Sequence, residues 1–207
     1  MSRRLEPFRY VLSCALFLAA LAPAAGLVWL ATTGGLGAEP IKATIHYTGN
    51  WTLRFLMIVL AITPLYRMTE VDWIMRQRRM MGLFAYFYAV LHMLSYLGLD
   101  QFFDWPLVGE DVVKRPFITI GMVAFFILTL LALTSSRSAV RRIGARRWQA
   151  LHRLVYGAAL LGGLHFLIGV KADVTEPVTY LALIAALLAL RLVPAHRFRA
   201  LRRRLAA

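Results

Sequence analysis

Hydrophobic residues come in long blocks along this chain, with neither the alternation of a strand nor the one-sided stripe of a soluble helix. Six blocks read as helices, at roughly 8–31, 45–65, 80–99, 117–133, 149–170 and 177–193. Each is near the ~20 residues that a helix needs to cross the hydrocarbon core of a bilayer. Inside that core each backbone polar group must be satisfied within the protein, which a helix does by itself. The pattern predicts an all-α integral membrane protein with six transmembrane helices in a single transmembrane domain, residues 1–207. The first block also begins like a signal peptide, with Arg3 and Arg4 ahead of it and an alanine-rich stretch at 22–25. Its apolar run is long for such a leader and no soluble domain follows, so it is read as a span.

Composition agrees: 60% of the residues are hydrophobic and 16% charged. The net charge of +14 would suit a nucleic-acid partner, but the arginines cluster at the ends of the apolar blocks. The expected partner of that charge is therefore membrane lipid, and no nucleic acid is expected. One set of loops and termini carries Arg3, Arg4, Arg9, Arg67, Arg76, Arg78, Arg79, Arg137, Arg141, Arg142, Arg146, Arg147, Arg191, Arg197, Arg199, Arg202, Arg203 and Arg204. The opposite loops carry only Lys42, Lys114, Arg115 and Lys171, together with most of the acids. The positive-inside rule then places both termini in the cytoplasm. A single cysteine, Cys14, excludes an internal disulfide and a cysteine-held iron–sulfur cluster. The run Gly34-Gly35-Leu36-Gly37 matches no phosphate-binding fingerprint. No internal repeat is visible, which weighs against an inverted-repeat transporter.

Ionisable residues within the spans carry the candidate chemistry, because they are costly there. His92 lies in the third block; His152 and His165 lie in the fifth. Counted from the arginine-rich end, His92 and His165 stand at similar depth, about 20 Å in. His152 lies near that end, about 20 Å from His165 by helix rise. Imidazoles at such positions suit axial ligation of a haem iron, or hydrogen bonds to a neighbouring helix. Arg54 stands just inside the outer end of the second block, placed to pair with a haem propionate or to snorkel to headgroups. Arg78, Arg79 and Arg153 form an inner cationic group suited to propionates or a flavin phosphate, and equally to membrane anchoring. His46 reads as an interfacial residue, with partner docking or a quinone site as the alternative. Phe84, Tyr86, Phe87, Tyr88 and Tyr96 suit a porphyrin edge or helix packing. Gly157, Gly162 and Gly163 permit close approach in the fifth block. The outer segment 100–115, QFFDWPLVGED in its first part, mixes aromatic and acidic residues suited to docking a partner, or to placing Phe102, Phe103 and Trp105 in the headgroup region.

Four segments, HYTGNWTLRFLMIVLAITPLYR, RRMMGLFAYFYAVLHMLSY, KRPFITIGMVAFFILTLLALTS and RRWQALHRLVYGAALLGGLHF, occur in this order. Together they resemble the haem-binding membrane subunit of the periplasmic methionine sulfoxide reductase system, the MsrQ (YedZ) type. That type falls in the ferric reductase-like transmembrane superfamily with the NADPH oxidases. The resemblance covers about residues 46–180. It implies a ferric reductase-like haem-binding bundle in the bacterial inner membrane. It implies a multi-pass electron conduit from the quinone pool, or from a cytoplasmic flavin reductase, to a soluble periplasmic molybdenum-cofactor enzyme that reduces methionine sulfoxide in oxidised proteins. The family's haem histidines fall on His92, His152 and His165. Haem b is implied, and FMN by the resemblance alone, with no residue to hold it. In the wider superfamily two stacked haems use two histidines on each of two helices. Here the third block has only His92, with Arg78 fourteen residues before it. One haem is thus fully ligated by His92 and His165; a second, at His152, would lack its other histidine.

The expected function is one-electron transfer by a haem b subunit with no complete catalytic site of its own. The alternative is a self-contained ferric reductase or oxidase, which normally carries a nucleotide-binding dehydrogenase domain; the sequence has fourteen residues after the sixth block. A third class, a transporter or structural membrane protein, would use the histidines for packing or proton relay. The distribution of basic residues yields a first test: a reporter active only in the periplasm, fused to the C-terminus, stays silent. Activity of that fusion would overturn the six-span topology.

Overall fold

The structure, a computed structural model, describes residues 6–194 together with His196 and Phe198. Arg3, Arg4, Arg197, Arg199, Arg202, Arg203 and Arg204 lie outside the described residues. The helices are α1 (Glu6–Thr32), α2 (Pro40–Thr69), α3 (Asp72–Leu94) with a π-helical continuation (Ser95–Asp100), α4 (Trp105–Lys114), α5 (Pro116–Leu133), α6 (Arg137–Ile143), α7 (Ala145–His152), α8 (Leu154–Gly169) and α9 (Thr175–Leu192). Among the described residues there are six helices long and apolar enough to cross a membrane, and no strand. The all-α, six-span architecture expected from the blocks is therefore present, in a multi-pass membrane protein.

Several helices outrun their apolar blocks. Helix α2 starts at Pro40 and α3 at Asp72, so polar turns carrying Lys42 and Arg76, Arg78 and Arg79 are helical too. Proline opens α2 and α5 in the first turn, where its missing N–H costs no hydrogen bond. Asp104 caps α4 by accepting a hydrogen bond from the Leu107 N–H at 3.1 Å. The fifth block divides at Arg153 into α7 and α8.

Helices α2 and α3 form the main antiparallel pair, turned at Glu70, which adopts left-handed backbone (φ 57°). Helices α5 and α8 form the second pair, and α9 packs against α8 and α2. Helix α1 lies against α2 and α3. The core holds Leu60, Ala85, Tyr88, Ala158, Ala159 and Ile184, all fully buried. One end of the bundle gathers Glu39, Asp100, Asp104, Glu110, Asp173 and Glu176; the other gathers the arginines of the α2–α3 and α5–α8 connections. Below these are the acidic end and the arginine-rich end.

Side chains bond the helix backbone near two of the prolines. Pro64 offers no N–H to the Leu60 carbonyl. Arg191 of α9 fills the gap, donating from Nε and Nη2 to the Leu60 carbonyl at 3.1 and 2.8 Å and from Nη2 to that of Val59 at 3.1 Å. Its Nη1 donates to the Tyr156 hydroxyl at 2.8 Å. Near Pro23 of α1 the Tyr88 hydroxyl enters the helix ladder. It donates to the Ala20 carbonyl at 2.8 Å and accepts from the Ala24 N–H at 3.0 Å. A side chain inserted between the partners of one helix turn is a recognised cause of bending.

This insertion yields a second test. Tyr88→Phe keeps the ring but removes the hydroxyl that bridges the buried Ala20 carbonyl and the half-buried Ala24 N–H, which costs about 1 kcal/mol if the two groups re-pair within α1. Thermal unfolding in detergent should show a lower Tm for this variant; an unchanged Tm would mean that the hydroxyl does not tie α1 to α3.

Candidate functional site

Among the described residues, two cavities lie beside the candidate histidines. The first, about 310 Å³, opens toward the acidic end and is walled by α2, α3, α5 and α8. His92 and His165 enter it from α3 and α8. Their rings are 6.0 Å apart between centroids and stand at 77° to each other. His92 Nδ1 donates to the Ile45 carbonyl of α2 at 2.9 Å, and His165 Nδ1 donates to the Phe117 carbonyl of α5 at 2.7 Å. A carbonyl oxygen can only accept, so each proton sits on Nδ1 and each Nε2 keeps its lone pair. That is how metal-ligating histidines are commonly oriented by a second partner.

Glycines make the arrangement possible. A Cβ on Gly49 would lie 3.1 Å from His92 Cε1, and one on Gly121 would lie 2.7 Å from His165 Nδ1. Each imidazole thus rests against the bare backbone of the neighbouring helix. The sequence reading chose Gly157, Gly162 and Gly163 instead. A Cβ on Gly157 would meet nothing within 4 Å; Gly162 and Gly163 make room for Leu53 of α2 and Leu181 of α9. Gly49 and Gly121 stand in mid-helix near the acidic end, and that position was their only signal in the sequence.

The rest of this cavity is mostly apolar, with Leu53, Leu56, Ala89, Ala124, Phe125 and Leu128 in its wall. Its mouth is polar. His46 lies there, its ring 6.5 Å from that of Phe166, with Tyr96, Asp100 and Arg115. The wider π-helical turn after His92 carries Tyr96 and Asp100, spaced at four-residue intervals, onto the cavity side of α3. Of the aromatics singled out in the third block, only Tyr96 lines the cavity. Phe84 and Tyr88 stack on Phe55 of α2, Phe87 packs edge-on against both, and Tyr86 stacks on Phe125 of α5.

Arg54 does not line this cavity. It lies fourteen residues into α2, with Nε donating to the Tyr180 hydroxyl at 2.8 Å and its guanidinium 4.8 Å from the Trp51 ring centre. Asp111, read from sequence as part of a docking segment, turns inward and is buried. Phe102, Phe103 and Trp105 are exposed beside it, the two phenylalanines in left-handed backbone with φ of 47° and 58°.

The second cavity, about 880 Å³, opens toward the arginine-rich end. Arg76, Arg78, Arg79, Arg137, His152 and Arg153 line it, and among the described residues no carboxylate does. His152 is set differently from the other two histidines. It stacks on Trp148 at 3.9 Å, and its Nε2 lies 3.2 Å from the Thr134 hydroxyl. That hydroxyl gives its proton to the Leu130 carbonyl at 2.7 Å, so it accepts from His152 Nε2–H. Leu56 and Leu128 border both cavities.

Two imidazoles with free Nε2 atoms are fewer protein ligands than an ordinary metal ion site supplies, and among the described residues no three His, Cys, Asp or Glu side chains gather to complete one. They suit an iron whose other four positions come from a macrocycle. The class follows from fold and site together. The family described as "Ferric reductase like transmembrane component" matches residues 48–163, which include most of α2, all of α3 and α5, and most of α8. The chain is 52% identical over 188 residues to the "Protein-methionine-sulfoxide reductase heme-binding subunit MsrQ" of Rhodospirillum rubrum, covering 89% of each chain. It is 49% identical over 178 residues to the protein of that name from Herminiimonas arsenicoxydans, covering 85% of this chain and 82% of the relative. With the Caulobacter vibrioides protein of that name it shares 46% over 172 residues, 83% of this chain and 82% of the relative. The chain belongs to the ferric reductase-like transmembrane family and, within it, to the MsrQ group.

Proposed function

We propose that the chain is the haem-carrying, electron-transfer subunit of a membrane-bound methionine sulfoxide reductase system, with one haem b held between His92 and His165. The carrying observation is the pair of Nδ1-anchored imidazoles facing one apolar cavity. The names of relatives at about half identity over most of the chain support it. A haem bound there supplies one-electron redox chemistry. His92 and His165 hold the iron, and the Ile45 and Phe117 carbonyls fix their tautomer and make them better donors. The aliphatic wall excludes water, which lets the protein set the redox potential. One-electron transfer needs no general acid or base.

The acidic end then faces the periplasm of a bacterial inner membrane, and both termini are cytoplasmic. A soluble molybdenum-cofactor reductase docks at the acidic end, where Phe102, Phe103 and Trp105 stand exposed. Electrons enter at the arginine-rich end from the quinone pool or a cytoplasmic flavin reductase. There five guanidiniums and His152 line a cavity without a carboxylate, an environment suited to an anionic donor such as FMN. A second haem at His152 would first have to take Nε2 from Thr134.

A reduced-minus-oxidised visible spectrum of the purified protein tests the cofactor, and electron delivery to the reductase partner tests the role. His92→Ala and His165→Ala each lose most of the haem; full haem with an unchanged spectrum in either would defeat the assignment. Gly121→Ala loses more haem than Gly49→Ala, because its Cβ meets the imidazole at 2.7 Å against 3.1 Å. The reverse order would mean that the glycines do not set the histidine positions.

The arginine-rich cavity has its own test. His152→Ala leaves the spectrum of the His92–His165 haem nearly intact and slows its reduction by a physiological donor several-fold. Loss of that haem, or an unchanged rate, would remove His152 from the entry side.

A further inference from the structure

We propose that Arg115 anchors the carboxylate arms of the macrocycle seated between His92 and His165, with Asp111 and Tyr96 as its positioning residues. The proposal rests on the haem reading above and concerns how the same site fixes the orientation of its cofactor.

A haem with its iron between these imidazoles carries two propionates on one edge. Unpaired carboxylates are expensive in the apolar part of the cavity, so that edge must face the polar mouth. Arg115 is the one arginine or lysine among the residues lining the cavity. Its Nε meets Asp111 Oδ1 at 3.1 Å, and its side chain is 54% exposed. Among the described residues its side chain makes no other hydrogen bond or ion pair, so they leave the Nη1–Nη2 edge open. A guanidinium so placed can take a carboxylate with two parallel hydrogen bonds.

The anchor is braced from behind. Asp111 is buried, and its Oδ2 accepts from the Tyr96 hydroxyl at 3.2 Å and from Gln101 Nε2 at 3.3 Å. Tyr96 and Gln101 belong to the π-helical turn and the residue after it, four and nine positions beyond His92. The brace thus ties Arg115, at the start of α5, to the helix that carries one imidazole. Asp100, the carboxylate at the mouth, accepts from Gln101 Nε2 at 2.9 Å. The other arginine considered for this role, Arg54, stands off the cavity and is held by Tyr180.

The test uses the full chain purified with haem. Haem content, midpoint potential and the propionate bending band in the resonance Raman spectrum are read for the unsubstituted protein and for Arg115→Gln, Arg115→Lys and Asp111→Asn. The expected Arg115→Gln protein keeps its haem, shifts the propionate band and has a lower midpoint, because a positive charge near the haem favours the reduced form. Arg115→Lys restores part of the midpoint but not the band, since an ammonium is a point charge. Asp111→Asn, which removes the counter-charge, raises the midpoint. An unmoved band in both Arg115 variants with haem retained overturns the proposal, and so does a midpoint that moves the same way in Arg115→Gln and Asp111→Asn. Should Arg115→Gln fail to fold, the band in Arg115→Lys decides alone. An unsubstituted protein without a six-coordinate haem would instead defeat the underlying reading.

Discussion

Two hydrogen bonds govern this molecule, from His92 Nδ1 to the Ile45 carbonyl and from His165 Nδ1 to the Phe117 carbonyl. Each crosses from one helix to the next, α3 to α2 and α8 to α5. Each does two things at once. It satisfies a polar group that the bilayer would not, and it leaves Nε2 unprotonated and aimed into the cavity. The helix pairs that the bonds join, α2–α3 and α5–α8, are also the two main packing pairs of the bundle. Gly49 and Gly121 are the steric condition for both, since a methyl group on either would press on an imidazole.

The same device recurs through the bundle. Helices in lipid gain little from burying apolar surface against each other, so close packing and interhelical hydrogen bonds must fix their register. Tyr88 reaches the Ala20 carbonyl, Tyr47 that of Pro23, Arg191 those of Val59 and Leu60, and Trp148 that of Thr134. Arg67 donates to the Arg191 and Val193 carbonyls at the end of α9. Polar side chains that look expensive in the sequence are therefore used on backbone groups, some of them beside prolines. His152 instead bonds a side chain, the Thr134 hydroxyl, and lines the cationic cavity.

The spans were legible because length and hydropathy alone decide whether a helix can cross a bilayer. The pairing of His92 with His165 was legible because helix rise converts sequence position into depth. Rotation about the helix axis was not legible, and that is where the reading and the structure part. Arg54, which depth made either a propionate partner or a headgroup anchor, donates to the Tyr180 hydroxyl. Among the aromatics of α3, depth alone could not single out Tyr96, which reaches the cavity through the π-helical turn. Arg115 read as one more basic loop residue, because its place depends on a buried carboxylate that sequence gave as a surface acid. The arginine-rich cavity was anticipated in Arg78, Arg79 and Arg153, whereas Arg76 and Arg137 join it through the way α3, α6 and α7 converge.

The central claim is that one iron sits between two imidazoles held nearly at right angles. Low-temperature electron paramagnetic resonance of the oxidised, purified protein examines it most directly. Rings at 77° predict a low-spin ferric signal of the strongly anisotropic kind that near-perpendicular bis-imidazole ligation produces. A high-spin ferric signal as the main species, or a low-spin signal of the kind given by parallel imidazole planes, would contradict the account.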